Sequence, residues 1–488
     1  MYDKWISFWA KLRPQHVAVI LRNGVIRYGE FEVQINKVAA RLQSLGIRPG
    51  GRVAVHQPDE YVHWLLLLAL DRLGLPSMSI GNPAVQQPLL AALKPDFLIT
   101  VEGSQATSIP SLRITRQWYD ETMAMPPAAH PQKTHPPDAI SRFFASSGTT
   151  GLPKLMAVTR REMELRTENA RAAMGAGLQT RACTLLGVIT AGGHTWPLCY
   201  WLGGGANILN VGFFGSLAET LRSTNPTQVV LSVGTLLDLV RGPAANLPPM
   251  PSLEIFVVGS AVPKALADEV RRVLTPNLYV SYAATEVSGI AMGSTALLQQ
   301  YDGTAGYVFP GGEVEAVDEN DKPLPAGTVG ILRIRTDCMI TGYYGQSPAE
   351  KASSPVRNGW FYPGDLGTVS ADGVVAVSGR AADVLNIGGN KFQPAAIEEL
   401  ALSCAGIRDA AVFSVPDDRG IETPWIAVVR GEDHKPGELA SRIKARWPLL
   451  GGLQVAVTQV IPRNQMGKID RLRLRQESLA WQARVRKG

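Results

Sequence analysis

Cysteine is scarce: four residues in 488, Cys183, Cys199, Cys338 and Cys404, lie far apart and form no C-x-x-C pair. That spacing speaks against a disulfide framework or a structural zinc site and makes a reducing compartment the default. Long apolar runs are lacking too. The most apolar stretch, Trp64 to Leu70, stops at Asp71 and Arg72, far short of the ~20 residues that span a bilayer. The opening MYDKWISFWAKLRPQ has no unbroken apolar core and no small-residue cleavage site, so it reads as a helix and not as a signal peptide. A cytoplasmic protein with no membrane span is expected. G-x-G-x-x-G and G-x-S-x-G occur nowhere, which removes the dinucleotide fingerprint and the nucleophile elbow. No aromatic platform or nucleic-acid motif accompanies the basic residues, so nucleic acid is not an expected partner.

What is present is a globular composition: 45% hydrophobic, 18% charged, mean hydropathy +0.02. A chain of this length exceeds one hydrophobic core, and at least two domains are expected. The net charge of +6 is uneven. Twelve Lys and Arg against three acids between 435 and 488 make the tail strongly basic and leave the rest slightly acidic. Two readings stand: a solvated helix face, or a platform for an anionic partner such as the phosphates of coenzyme A or an acidic carrier protein.

Between 15 and 125, β-like runs (VAVIL, RVAVHQ, SMSI, FLITV) alternate with helical stretches such as FEVQINKVAARLQSLG, which predicts a helix-covered parallel sheet. The alternation resumes from 180 to 300. Beyond 303 the texture turns Gly-rich with short strands, as in an antiparallel, barrel-like subdomain. After 379–383 comes a strand-rich piece with the helix GELASRIKARW, a small α+β module. The expected class is α/β: a large N-terminal domain (1–381) of two mainly parallel sheets plus the barrel-like part, then a small mobile C-terminal domain (382–488).

The segment SSGTTGLPK (146–154) has the composition of a phosphate-holding loop. It is not a Walker A loop, since the spacing fails and Pro153 stands where the helix would begin. It resembles the phosphate loop of the ANL superfamily: acyl-CoA synthetases, adenylation domains and luciferases. Further segments follow in that family's order. These are VVGSAVPKAL (257–266), SYAATE (281–286), EVEAVDENDKPLPAGTVGILRIR with MITGYY, GWFYPGD (359–365), GRAADVLNIGGNKFQPAAIEE (379–399) and NQMGKIDR (464–471).

The resemblance implies an enzyme that activates a carboxylate with ATP and Mg²⁺ and passes it to a thiol. Ser146, Ser147, Gly148, Thr149, Thr150, Gly151 and Lys154 would hold the β- and γ-phosphates. Gly259, Ser260 and Ala261 would lie near adenine and substrate, Tyr282 would stack on adenine, and Ala283 and Ala284 would flank it. Thr285 would contact the α-phosphate and Glu286 would bind Mg²⁺, as a hard cation favours a carboxylate. Asp365, assisted by Arg380, would accept the ribose hydroxyls. Lys468 would neutralise the charge that grows as the carboxylate attacks phosphorus. Gly388 and Gly389 resemble the glycines beside the pantetheine arm. The chain departs from the pattern at Leu155 and Ala283, which replace glycines. Lys391 stands where many members have arginine, and Ala382 stands at the pivot.

Thr190, Ala191, Gly192, His194, Trp196, Phe213 and Gly289 are candidate pocket residues. The stretch VITAG (188–192) carries no charge to pair an ammonium, which disfavours an α-amino acid and favours a fatty or aromatic acid. The acceptor is coenzyme A or the phosphopantetheine of a carrier protein. A binding protein that has lost catalysis is the alternative from another class.

Overall fold

The computed structural model describes residues 3–84, 86–104, 107–129, 135–146, 154–241, 247–301, 303–352, 354–383, 385–387, 390–416, 422–431, 437–450, 452–463 and 468–485. Two large sheets carry the first 380 residues. The smaller runs in the order Ser111–Ile114, Phe97–Val101, Val53–Val55, Ser77–Ser79, Ile140–Ser146, Lys154–Thr159. All neighbours are parallel except the last pair. The apolar run at 64–70 lies in the helix Glu60–Arg72, buried almost all round and capped by Asp59 accepting from the Val62 N–H. A helix of this length, apolar from Trp64 to Leu70 and buried almost all round, is a core helix and not a membrane span. No helix among the described residues is long and apolar enough to cross a membrane.

The larger sheet has fifteen strands. Its parallel half comprises Val17–Leu21, Ala206–Ile208, Arg181–Thr184, Gln228–Leu231, Glu254–Val258 and Leu278–Ala284. Val17–Leu21 pairs antiparallel with its sequence neighbour Gly24–Arg27 on one edge, and on the other it pairs parallel with a strand almost two hundred residues on. At Ser288–Ser294 the chain reverses, and an antiparallel wing follows through Thr304–Val308, Val374–Arg380, Asp365–Val369 and Gly330–Thr336. The short Gly-rich strands are there, but they continue the large sheet edge to edge, and no pairing among the described residues closes them into a barrel.

Residues from 385 onward build separate cores on a three-stranded sheet, Ile407–Pro416, Glu422–Arg430 and Gln454–Thr458. Alternation along Glu422–Arg430 supplies both faces. Ile426 and Val428 pack with Ile397 and Ile443 of the helices Pro394–Leu402 and Glu438–Arg446, while Trp425 and Ala427 pack with Leu474 of Arg471–Val485. This piece touches the larger body through Arg241, which donates to the Ile407 and Arg408 carbonyls at 3.4 Å, and through Glu399, which accepts from the Lys264 N–H at 3.2 Å. Part of the basic tail is spent internally. Arg471 pairs with Glu398 at 2.6 Å, Arg473 with Glu477 at 2.8 Å and Arg475 with Glu422 at 2.7 Å.

Candidate active site

The site gathers where the strand Leu278–Ala284 ends. Tyr282, third from that end, donates its hydroxyl to Asp365 Oδ2 at 2.5 Å. Asp365 lies opposite Arg380 in the antiparallel register, and Arg380 Nε reaches Asp365 Oδ1 at 3.3 Å. Burial, with the Asp365 charge beside it, pushes the Tyr282 hydroxyl well above its usual pKa, so it stays a donor. Just beyond the strand, Glu286 is only 8% exposed, and its Oε1 accepts from the Tyr343 hydroxyl at 2.7 Å. The Tyr343 ring lies 5.3 Å from Lys154 Nζ. The Tyr344 N–H donates to the Leu155 carbonyl at 2.7 Å, fastening this segment to the strand that Lys154 begins.

Arg166 braces the turn from beneath. Its guanidinium, 1% exposed, donates to the carbonyls of Thr285 (3.0 Å), Glu286 (3.3 Å) and Cys338 (3.1 Å). Sequence reasoning points to neither Arg166 nor Tyr343. Tyr343 lies in MITGYY with no role attached. Arg166 reads as an ordinary solvated arginine in RREMELRTENARAAM, and only the fold reveals that its helix turns it inward. A Tyr343→Phe variant should keep its fold yet lose about tenfold in kcat, the scale of one hydrogen bond to a charged group. Steady-state kinetics with thermal unfolding checks this.

Lys468 comes from the C-terminal piece to the same place. Burial lowers its pKa and Arg380 lowers it further, while Asp365, Glu286 and Asp383 raise it. The tail lysine therefore lies within the electrostatic reach of the Tyr282–Asp365–Arg380 group and of Glu286.

The remaining candidates are placed as follows. Gly259, at φ +98°, Ser260 and Ala261 form the loop between Glu254–Val258 and Lys264–Val273. Ala283 pairs with Gly289 across the hairpin, and Ala284 with Ser288. A Cβ on Gly289 would collide with the Phe309 ring. Thr190 caps the helix Ala191–Leu202, accepting from the Gly193 N–H at 2.9 Å. A Cβ on Gly192 would lie 2.9 Å from Leu186 Cδ1 and 3.4 Å from Trp196 Nε1. Trp196 is buried in a cluster that Ala283 borders. His194 is buried, stacked on Trp64 at 5.1 Å with Phe144 edge-on at 5.7 Å, so it faces the core. Burial holds its pKa well below the ordinary value. Phe213 is not brought to the others: it is 60% exposed, and its carbonyl accepts from Arg22 at 2.7 Å. Ser146 ends its strand paired with Lys154, and Lys391 lies in the strand Asn390–Phe392; for both, the backbone alone is described. Ser147, Gly148, Thr149, Thr150, Gly151, Gly388 and Gly389 lie outside the described residues.

No group of three or more His, Cys, Asp or Glu that could hold a metal occurs among the described residues. Among the described residues, Glu286 offers a buried carboxylate beside Thr285. That suits a Mg²⁺ arriving with nucleotide phosphates, which takes one or two carboxylates and keeps its waters, and not a resident metal.

A buried acid pinned beside a strand end, a Tyr–Asp–Arg group beside it and a lysine from the C-terminal piece are thus brought together. The model of the AMP-binding enzyme family matches residues 6–344, and the chain belongs to that family. It is 25% identical to a fatty acid–[acyl-carrier-protein] ligase of Streptomyces coeruleorubidus, over 96% of this chain and 95% of the relative. It is 27% identical to a 2-hydroxy-7-methoxy-5-methyl-1-naphthoate–CoA ligase of Streptomyces carzinostaticus, over 94% and 90%. Among solved structures, its fold is shared with an amide bond synthetase of Marinactinospora thermotolerans (TM-score 0.82, 24% identity, 97% and 98% covered). It is shared also with an o-succinylbenzoate CoA synthetase of Bacillus subtilis holding its acyl-adenylate (TM-score 0.81, 21% identity, 96% and 97% covered).

Proposed function

We propose that this protein converts an aromatic or compact fatty acid, ATP and coenzyme A into the acyl thioester, AMP and pyrophosphate. A carboxylate oxygen attacks the α-phosphorus, the bond to the bridging oxygen breaks, and pyrophosphate leaves. The thiol sulfur then attacks the acyl carbon, expelling AMP and giving up its proton. The observation that carries the reading is Lys468 gathered with Glu286, Asp365 and Arg380. In this reading Lys468 neutralises the charge that develops at phosphorus. Asp365, held by Tyr282 and Arg380, accepts the ribose hydroxyls, and Tyr282 presents its ring to adenine. Thr285 contacts the α-phosphate, while Lys154 and the 146–151 loop hold the outer phosphates with Lys391 in support. Glu286 holds Mg²⁺, which when bound screens the phosphate charge. The division at 381/382 belongs to the same proposal, supported by the separate cores from Leu385 onward. The four free, buried cysteines fit a cytoplasmic setting.

The substrate class rests on the pocket. The stretch 188–192 (VITAG) carries no charge to pair an ammonium. Trp196 and Leu186 fill the space over Gly192, and Phe309 fills the space over Gly289, bulk that in this reading favours a short or flat acid. Trp196→Ala is expected to shift kcat/KM towards longer acids by roughly tenfold or more, the scale of one or two methylenes in an apolar pocket. A chain-length series checks it. The carrier-protein alternative is favoured by the Streptomyces coeruleorubidus relative, whose acceptor is an acyl carrier protein. The deciding experiment combines ATP, Mg²⁺, coenzyme A and a panel of aromatic and fatty acids, with products read by mass spectrometry. An acyl-CoA product supports the proposal. Acyl-AMP without thioester moves the acceptor to a carrier protein, and neither product from any acid sinks the reading.

A further inference from the structure

The first described helix, Asp3–Leu12, is packed on one side only. Ile6 is wholly buried, Trp9 donates its indole N–H to the Leu202 carbonyl at 3.2 Å, and Ser7 donates to Glu32 at 2.9 Å. The other side presents Trp5 (40% exposed), Phe8 (45%) and Leu12 (57%). Their i, i+3, i+7 spacing puts them on one helical face, and the Trp5 and Phe8 rings meet edge to face at 5.6 Å. Lys4 and Lys11 are exposed, and helical geometry sets both beside Phe8; the exposed Arg13 follows the helix end.

We infer that this face is a contact for an anionic lipid surface. Tryptophan and phenylalanine settle at the level of lipid headgroups, where their rings leave water without a full crossing. Lysines at the margin of such a face lay their stems along it and keep the ammonium at the phosphates. Each cation near an anionic leaflet adds about 1 kcal/mol of attraction. Charge selects this occupant over a second copy of the chain. An antiparallel pairing of two such helices would set Lys4 of one against Lys11 of the other, whereas acidic headgroups answer both. The side chains holding the helix to the body (Ile6, Ser7 and Trp9) are not those on the outer face, so docking requires no rearrangement. The contact is peripheral and reversible, as one short apolar face without a lipid chain must be.

The test is cosedimentation of the full chain with vesicles of equal parts phosphatidylglycerol and phosphatidylcholine, against phosphatidylcholine alone, at low and at physiological salt. Binding to the anionic vesicles should exceed binding to the neutral ones by about tenfold or more, the worth of two or three cations, and should weaken with salt. Lys4→Glu with Lys11→Glu should remove that preference. Trp5→Ser with Phe8→Ser and Leu12→Ser should abolish vesicle binding while acyl-adenylate formation in solution stays unchanged. Equal or absent binding to the two vesicles overturns the inference, and so does wild-type binding by either variant. A concentration-dependent dimer in light scattering that the triple variant dissolves would assign the face to a second copy and overturn it too.

Discussion

Lys468→Ala is expected to lose roughly two to three orders of magnitude in the adenylation rate, the scale of one preorganised group aimed at developing charge. The KM for the acid should hardly move, because the lysine acts on the transition state and not on the bound carboxylate. Pyrophosphate release measures the step directly. Thioester formation from supplied acyl-AMP should survive, since that step has no phosphorus centre to neutralise. Equal loss in both steps would show that Lys468 holds the fold or the nucleotide and not the transition state. The lowered pKa adds a pH signature. Adenylation needs the protonated lysine, so its rate should fall as pH rises through a value below the ~10.4 of a free lysine, and the variant should lose that limb. The sign for stability runs the other way. The unfolded chain binds this proton more tightly than the folded one, so the group opposes folding below the folded-state pKa and ceases to do so as pH rises. Thermal unfolding of Lys468→Ala at neutral pH is therefore not expected to come at a lower temperature than in the parent.

Arg166→Met should be the most damaging change away from nucleotide and acid. Methionine fills much of the volume but leaves the Thr285 and Cys338 carbonyls without their donor, while the Glu286 carbonyl keeps the Ile340 N–H, and each buried acceptor so stranded costs about 1–3 kcal/mol. Part of that loss is offset because a buried guanidinium need no longer be desolvated. The turn should relax, and a shift of ~1 Å in Glu286 is enough for about a hundredfold loss in kcat. Two measurements separate position from stability: the unfolding temperature, expected to fall by several degrees, and the Mg²⁺ concentration that half-saturates adenylation, expected to rise. A variant with a lower unfolding temperature but the parent's Mg²⁺ response would make Arg166 a packing residue only.

The legible parts of the molecule are those that local residue pattern decides. Alternating apolar runs locate the strands at 53–55, 77–79 and 97–101, and helical spacing locates Tyr28–Gln43. Ordered motifs single out Tyr282, Glu286, Asp365, Arg380 and Lys468, residues that the fold then gathers at one strand end. What stays hidden depends on partners distant in the chain. Val17–Leu21 has the residues of any parallel strand, and nothing in it says that its neighbour is Ala206–Ile208. The open antiparallel wing has the residues of a barrel, because closure is decided by which edges meet. His194 and Phe213 have the same apolar-aromatic character as a pocket lining. Only packing sends the first against Trp64 and the second towards solvent. Arg166 is the hardest case, since a long cation on a helix looks solvated until three carbonyls are found waiting for it.

The Asp365–Arg380 ladder ends where the turn Ala381–Asp383 begins. Arg380 is held from one side by Asp365, and Asp383 is held from the other by Arg471 of the last helix at 3.6 Å. The Ala381 N–H is itself tied to the Gly364 carbonyl at 2.9 Å. A residue has only two soft dihedrals, so a swivel of the C-terminal piece that leaves these ties intact must turn chiefly about Ala382. Under the proposed division at 381/382 the joint is a pin and not a length of rope: it would fix an axis, and the lysine it carries would travel along an arc.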